Sequence, residues 1–240
     1  VCDIYFHVGL HKTGTTFLQR NVFPYLRGVD FYCNDLRPFI FGQRIVGKTL
    51  VSDESLSGVP YLSNVDNRVE LLDHIKSFYP DAKIIVFTRC NPFWVRSLYS
   101  TYVKDGFTFT YDEWLNNVFN TGFLNQKDYV LEIKKRFKDV FVCSYAVFQN
   151  DNDTCIRSLC DFMGVTVPVY DKQIVGRKLN RNVLRIVRLL NFFPVKLGWF
   201  FYLLSRFKFR NYVKKFFLEC YGFELLLWFF LLLFIGGFVI

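Results

Sequence analysis

The stretch on which the fold turns is Asp3-Ile4-Tyr5-Phe6-His7-Val8-Gly9-Leu10-His11-Lys12-Thr13-Gly14-Thr15-Thr16-Phe17-Leu18. Its first half, through Gly9, is an apolar run of strand length, the pattern of a strand covered on both faces. From Gly14 onward Phe17, Leu18, Val22, Tyr25 and Leu26 recur at helical spacing. Between the two lies a turn framed by Gly9 and Gly14. Successive backbone N–H groups and the positive end of a helix make such a turn a cradle for an anion, so a phosphate or sulfate group is expected there.

Working outward, Thr49–Ser52, Lys83–Thr88 and Asp139–Ser144 are short runs rich in apolar and β-branched residues, as expected of buried strands. Helix-patterned segments lie between and after them, at about 66–79, 92–105, 111–120, 126–138 and 153–163. This alternation predicts an α/β fold, a three-layer sandwich with a central, mainly parallel sheet, and the turn framed by Gly9 and Gly14 after its first strand resembles that of P-loop NTPases. No internal repeat and no Gly/Ser- or Pro-rich linker divides it, so one domain is expected over 1–190.

The region 191–240 reads differently, as a helical basic, aromatic and apolar extension. Lys172 to Lys215 holds 12 Lys/Arg and no acid, leaving 18 bases against 21 acids elsewhere, so the net charge of +9 belongs to this end. Leu225 to Ile240 is sixteen residues without a charge, short of the roughly 20 that a membrane span needs. Two readings stay open for it: a terminal helix packed on the domain, or a membrane-contacting or truncated spanning helix behind a basic stretch facing an anionic surface.

Composition excludes several classes. A hydrophobic share of 52% against 21% charged, over 240 residues, excludes a disordered chain. Seven cysteines, at 2, 33, 90, 143, 155, 160 and 220, form no C-x-x-C pair, which argues against a disulfide framework and a zinc site. A reducing, cytoplasmic compartment is expected, with no signal peptide, because the strand-like stretch begins almost at once. Basic residues beside a long apolar run favour lipid over nucleic acid as an anionic partner.

The spacing of Gly9 and Gly14 resembles a Walker A loop, but that motif places Lys directly after the second Gly, where this chain has Thr15. The lysine stands at Lys12 instead. The Asp that would hold magnesium is expected at the end of another apolar strand, and the best such strand, Ile84–Thr88, is followed by Arg89. A magnesium-dependent kinase or nucleotidase is thereby disfavoured.

His11-Lys12-Thr13-Gly14-Thr15-Thr16-Phe17-Leu18 resembles the 5′-phosphosulfate loop of sulfotransferases that use 3′-phosphoadenosine 5′-phosphosulfate (PAPS). Arg89-Cys90-Asn91-Pro92-Phe93-Trp94-Val95-Arg96-Ser97 is similar to the same family's 3′-phosphate motif, in which an Arg and a Ser eight positions later grip that group. The resemblance covers roughly residues 3–190. It implies PAPS as co-substrate with no metal required, Lys12 at the bridging oxygen of the leaving phosphate, and donors from His11, Thr13, Gly14, Thr15 and Thr16. It also implies Arg89 and Ser97 on the 3′-phosphate, as guanidinium and hydroxyl chemistry would allow.

The proton of the acceptor needs a base. Val51-Ser52-Asp53-Glu54-Ser55 looks like the segment where carbohydrate sulfotransferases place a catalytic Glu past a strand end, which makes Glu54 the candidate. Asp53, otherwise a turn cap, and His11 are the alternatives. Tyr145, after the strand ending at Ser144, either borders the adenine or packs in the core. Arg177 and Lys178 either fold over the 3′-phosphate, as a basic loop does in relatives, or form a solvated run, and Arg96 either reaches phosphate or pairs structurally. His7 is expected in the core and His74 on a helix surface.

The function expected from the resemblance is sulfuryl transfer to a hydroxyl of a sugar, a glycan or a small hydroxylated acceptor. A P-loop kinase or nucleotidase and a non-catalytic module for anionic lipid are the other classes.

Overall fold

A computed structural model of the chain describes residues 3–36, 39, 42, 47–58, 67–172 and 181–191. Five strands form one sheet among these residues: β1 (Asp3–His7), β2 (Asp30–Cys33), β3 (Lys48–Ser52), β4 (Lys83–Thr88) and β5 (Val140–Ser144). Their order is β2-β3-β1-β4-β5, and every pairing is parallel. β1 is central, in register with β3 from Asp3↔Lys48 to His7↔Ser52 and with β4 from Tyr5↔Lys83 to His7↔Ile85. The chain leaves β1 toward β2 and β3, then passes back over it to β4 and β5. Ligands of such open sheets bind where the winding reverses, outside the carboxyl ends of the strands, here those of β1 and β4.

Helices cover both faces of the sheet. α1 (Thr15–Phe17) runs on as a wider π-helical turn at Leu18–Val22 and a tighter 3₁₀ turn at Phe23–Tyr25. The others are α2 (Arg68–Phe78), α3 (Asn91–Lys104), α4 (Tyr111–Asn120), α5 (Gln126–Arg136), α6 (Tyr145–Asn150), α7 (Asn152–Met163) and α8 (Arg181–Leu190). Alternation along each strand sorts the core. Tyr5, Leu50, Ile85 and Phe87 pack with Leu18, Val22, Phe23 and, from α7, Ile156, Leu159, Cys160 and Met163. On the opposite face Phe6 meets Phe39 and Tyr79. The end of α7 is tied back to the sheet: the Tyr5 hydroxyl donates to the Met163 carbonyl at 3.2 Å, and Lys48 Nζ donates to Met163 and Gly164 at 2.5 and 3.0 Å.

The α/β sandwich expected from the sequence is the observed architecture, with two local differences among its strands. β2 was not expected. It is a four-residue edge strand, exposed at both ends, so it lacks the continuous apolar run that marks the inner strands. β1 ends at His7 rather than Gly9, because beyond His7 the chain pairs on one side only: Val8 and Leu10 donate to Ile85 and Phe87 of β4.

The described residues fall into two compact units. The larger holds the sheet, through Tyr102 and from Phe109 onward; the smaller joins Val103–Thr108 to 181–191. In the smaller unit Val187 of α8 is buried, and Asn191 Nδ2 donates to the carbonyls of Val103 and Phe107. No helix among the described residues is long and apolar enough to cross a membrane. Arg177, Lys178 and the extension beyond Asn191, including 225–240, lie outside them.

Candidate functional site

The glycine-framed loop stays laced to β4 as it leaves the sheet: Leu10 N–H donates to Phe87, and Phe87 N–H donates to the Gly9 carbonyl at 2.7 Å. It then folds over itself. The Thr13 hydroxyl, fully buried, donates to the Leu10 carbonyl at 2.6 Å. Lys12 at φ +63° and Gly14 at φ +95° take left-handed conformations. Glycine is required at 14 on two counts, since a Cβ there would also lie 2.8 Å from Phe148 Cε1 and 3.3 Å from Tyr145 Cε2.

Two side chains of the 89–97 segment hold consecutive carbonyls of the loop. The indole N–H of Trp94 donates to His11 at 2.7 Å, and Arg89 Nη1 donates to Lys12 at 2.8 Å. Among the described residues no backbone carbonyl takes the N–H groups of Lys12 to Thr16. The loop thus has its carbonyls engaged from outside and its amides left for an anion.

Glu54 faces this loop from the end of β3. Asp53 caps the following turn, its carboxylate accepting the Ser55 N–H at 2.8 Å, while Asp53 N–H donates to His7. The turn ends at Gly58 (φ +74°), where a Cβ would lie 2.9 Å from Cγ of the buried Arg68. Glu54 Oε2 lies 3.0 Å from His11 Nδ1, and His11 Nε2 lies 2.8 Å from the Gly58 carbonyl. A carbonyl only accepts, so Nε2 carries a proton, and the Nδ1···Oε2 contact closes around a second one. Burial pushes the Glu54 carboxyl up, but the hydrogen bond and charge of His11, the Thr15 hydroxyl and the Lys12 ammonium outweigh it, holding the group below the ordinary glutamate range. Glu54 is thus an ionised carboxylate beside Lys12, the state a proton acceptor needs.

Arg89 follows β4 directly. Its guanidinium lies 4.6 Å over the Tyr145 ring and reaches Lys12 by Nη1. Its backbone is gripped by Gln126 of α5, whose Oε1 accepts the Arg89 N–H at 2.9 Å and whose Nε2 donates to the Arg89 carbonyl and to Asn91 Oδ1, both at 2.7 Å.

The residues expected from sequence fall into three groups. His11, Lys12, Thr15, Glu54, Arg89 and Tyr145 come together at the ends of β1, β3, β4 and β5. Thr13 is turned inward as a brace, which leaves its backbone amide as its donor to a ligand. Thr16 and Arg96 are exposed, and Ser97 is half-buried on the second turn of α3. His7 is fully buried against Phe23 and Phe87, with Ser52 Oγ 2.7 Å from Nδ1, and His74 lies exposed on α2. Among the described residues no group of three or more His, Cys, Asp or Glu is placed to hold a metal. Trp94 and Gln126 were not foreseen; Trp94 at least stands inside the 89–97 motif, whereas a lone Gln at a helix start carries no signal.

No protein-family model matches the chain, and no curated protein matches it. Among solved structures it is similar to a sulfotransferase from Alicyclobacillus acidocaldarius, at 18% identity and a TM-score of 0.52, over 84% of this chain and 95% of that one. It also aligns with the mouse sulfotransferase SULT7A1 complexed with PAP, at 19% identity and a TM-score of 0.49, over 87% and 85% of the two chains. In architecture, therefore, this α/β sandwich is similar to that of the bacterial sulfotransferase.

Proposed function

We propose that the chain transfers a sulfuryl group from PAPS to a hydroxyl of an acceptor, a sugar or glycan. One observation carries the reading. The Arg89 guanidinium donates to the carbonyl of Lys12, so the two segments that resemble the 5′- and 3′-phosphate motifs close on one cradle at the ends of neighbouring strands. The residues fit a nucleotide anionic at both ends: the loop offers amides that no backbone carbonyl takes, and Arg89 gives one nitrogen to the loop and keeps others for phosphate. Architecture shared with a solved sulfotransferase supports the same reading.

When bound, PAPS supplies a sulfuryl group on a phosphate leaving group. Lys12 neutralises the charge that grows on the bridging oxygen, with the amides of Thr15 and Thr16 and the Thr16 hydroxyl as further donors. Glu54 accepts the acceptor's proton on a carboxylate oxygen, and His11 and Thr15 orient that carboxylate. Arg89 and Ser97 hold the 3′-phosphate, and Tyr145 supports the Arg89 guanidinium from beneath. The sugar or glycan acceptor follows from the likeness of the Glu54 segment to that of carbohydrate sulfotransferases.

A thermal-shift comparison tests the nucleotide. 3′-Phosphoadenosine 5′-phosphate at a hundredfold excess over its Kd should add about 2.7 kcal/mol, on the order of 5–10 °C in Tm for a chain of this size. ATP with magnesium should leave Tm unchanged. A shift with ATP and magnesium alone would instead assign the chain to the kinase or nucleotidase class.

A further inference from the structure

Gln126 stands 37 positions after Arg89, on another helix, yet its buried carboxamide is directed at that arginine's main chain. Arg89 is the first residue beyond the ladders of β4. Thr88 is the last residue paired with β5, and on the β1 side the last bond runs from Leu10 N–H to Phe87. Where the neighbouring strands stop, the amide of Gln126 takes their place, accepting the Arg89 N–H and donating to its carbonyl. Its second Nε2 proton goes to Asn91 Oδ1, at the first residue of α3. The strand end and the helix start are thereby held to one side chain.

The consequence falls on the guanidinium. An arginine side chain carries about 2 kcal/mol of rotamer entropy, and a grip on phosphate weakens when that freedom must be removed at binding. Here the side chain is fixed at three points: its root by Gln126, its tip by the Lys12 carbonyl and its face by Tyr145. We infer that Gln126 is a positioning residue for selectivity: by holding the Arg89 backbone it pre-sets the guanidinium for a nucleotide bearing a 3′-phosphate over one without it. This rests on the nucleotide reading above.

Binding of 3′-phosphoadenosine 5′-phosphate and of adenosine 5′-phosphate, which differ only in the 3′ group, is measured by calorimetry for the wild type, Arg89→Ala and Gln126→Met, with Tm alongside. Gln126→Met keeps the volume and removes all three bonds. The expected result is a loss of about tenfold for the 3′-phosphorylated ligand, the scale of one or two hydrogen bonds, with adenosine 5′-phosphate changed less than about twofold. Arg89→Ala should narrow the same preference further.

A Gln126→Met protein that weakens both ligands alike, or neither, while Arg89→Ala still narrows the preference, overturns the inference and leaves the nucleotide reading standing. An unchanged preference in Arg89→Ala overturns both. Should Gln126→Met not fold, Gln126→Leu reads the same ratio, because it too removes all three bonds and adds no charge beside Arg89.

Discussion

Lys12 takes a left-handed conformation with its carbonyl held by Arg89, and its ammonium acts on the Glu54 carboxylate. Replacing it with Ala keeps a Cβ at the same φ, so the backbone strain is unchanged and only the cation is lost. Turnover should fall about 10²–10³-fold, the scale for removing one group that stabilises transition-state charge, with Tm nearly unchanged. Retained turnover in single-turnover assays would remove the lysine from the chemistry. Glu54→Gln should lower kcat by about 10²–10⁴-fold and leave the Kd of 3′-phosphoadenosine 5′-phosphate nearly intact. A loss confined to that Kd would take the base role from Glu54. Both residues were legible because each lies in a short local motif. Trp94 and Gln126 were not, since a hydrogen bond across 83 or 37 positions leaves no trace in spacing or periodicity.

α4 begins with a reciprocal cap. Thr110 Oγ1 accepts the Glu113 N–H at 3.3 Å, and Glu113 Oε2 accepts the Thr110 N–H at 2.7 Å. Thr110→Ala should cost about 1 kcal/mol and lower Tm by roughly 2–4 °C, with nucleotide binding unaffected. An unchanged melting curve would show that tertiary packing alone starts the helix. The five segments expected as helices from apolar spacing are α2 to α5 and α7, to within about two residues at each end. α6 escaped because six residues are fewer than two helical turns, too few for a period to register. β2 escaped for the related reason that half-exposed edge strands carry no apolar run.

For the molecule as a whole, the alternation of strand and helix patterns announced an α/β sandwich, but the order β2-β3-β1-β4-β5 comes from pairings between distant segments that periodicity cannot reveal. One residue at the centre of that order makes stability depend on pH. Burial lowers the pKa of His7 from 6.5 to about 4, outweighing the opposing charge of Glu54. Between those values the unfolded chain binds the proton and the folded chain does not, so stability rises with pH. The contribution, roughly 3 kcal/mol, is complete above about pH 6.5 and is lost progressively as pH falls toward 4. Urea midpoints of the wild type should drop across that window, and His7→Leu should flatten the drop; parallel curves would assign the acid sensitivity elsewhere. All five strands also point the same way, which gives the sheet a working rim and a silent one. β1 begins on the silent rim and rises about 16 Å over its five residues before the loop. A label carried at position 3 itself therefore stands on the rim opposite the glycine-framed loop, and that loop remains open for surface-based assays.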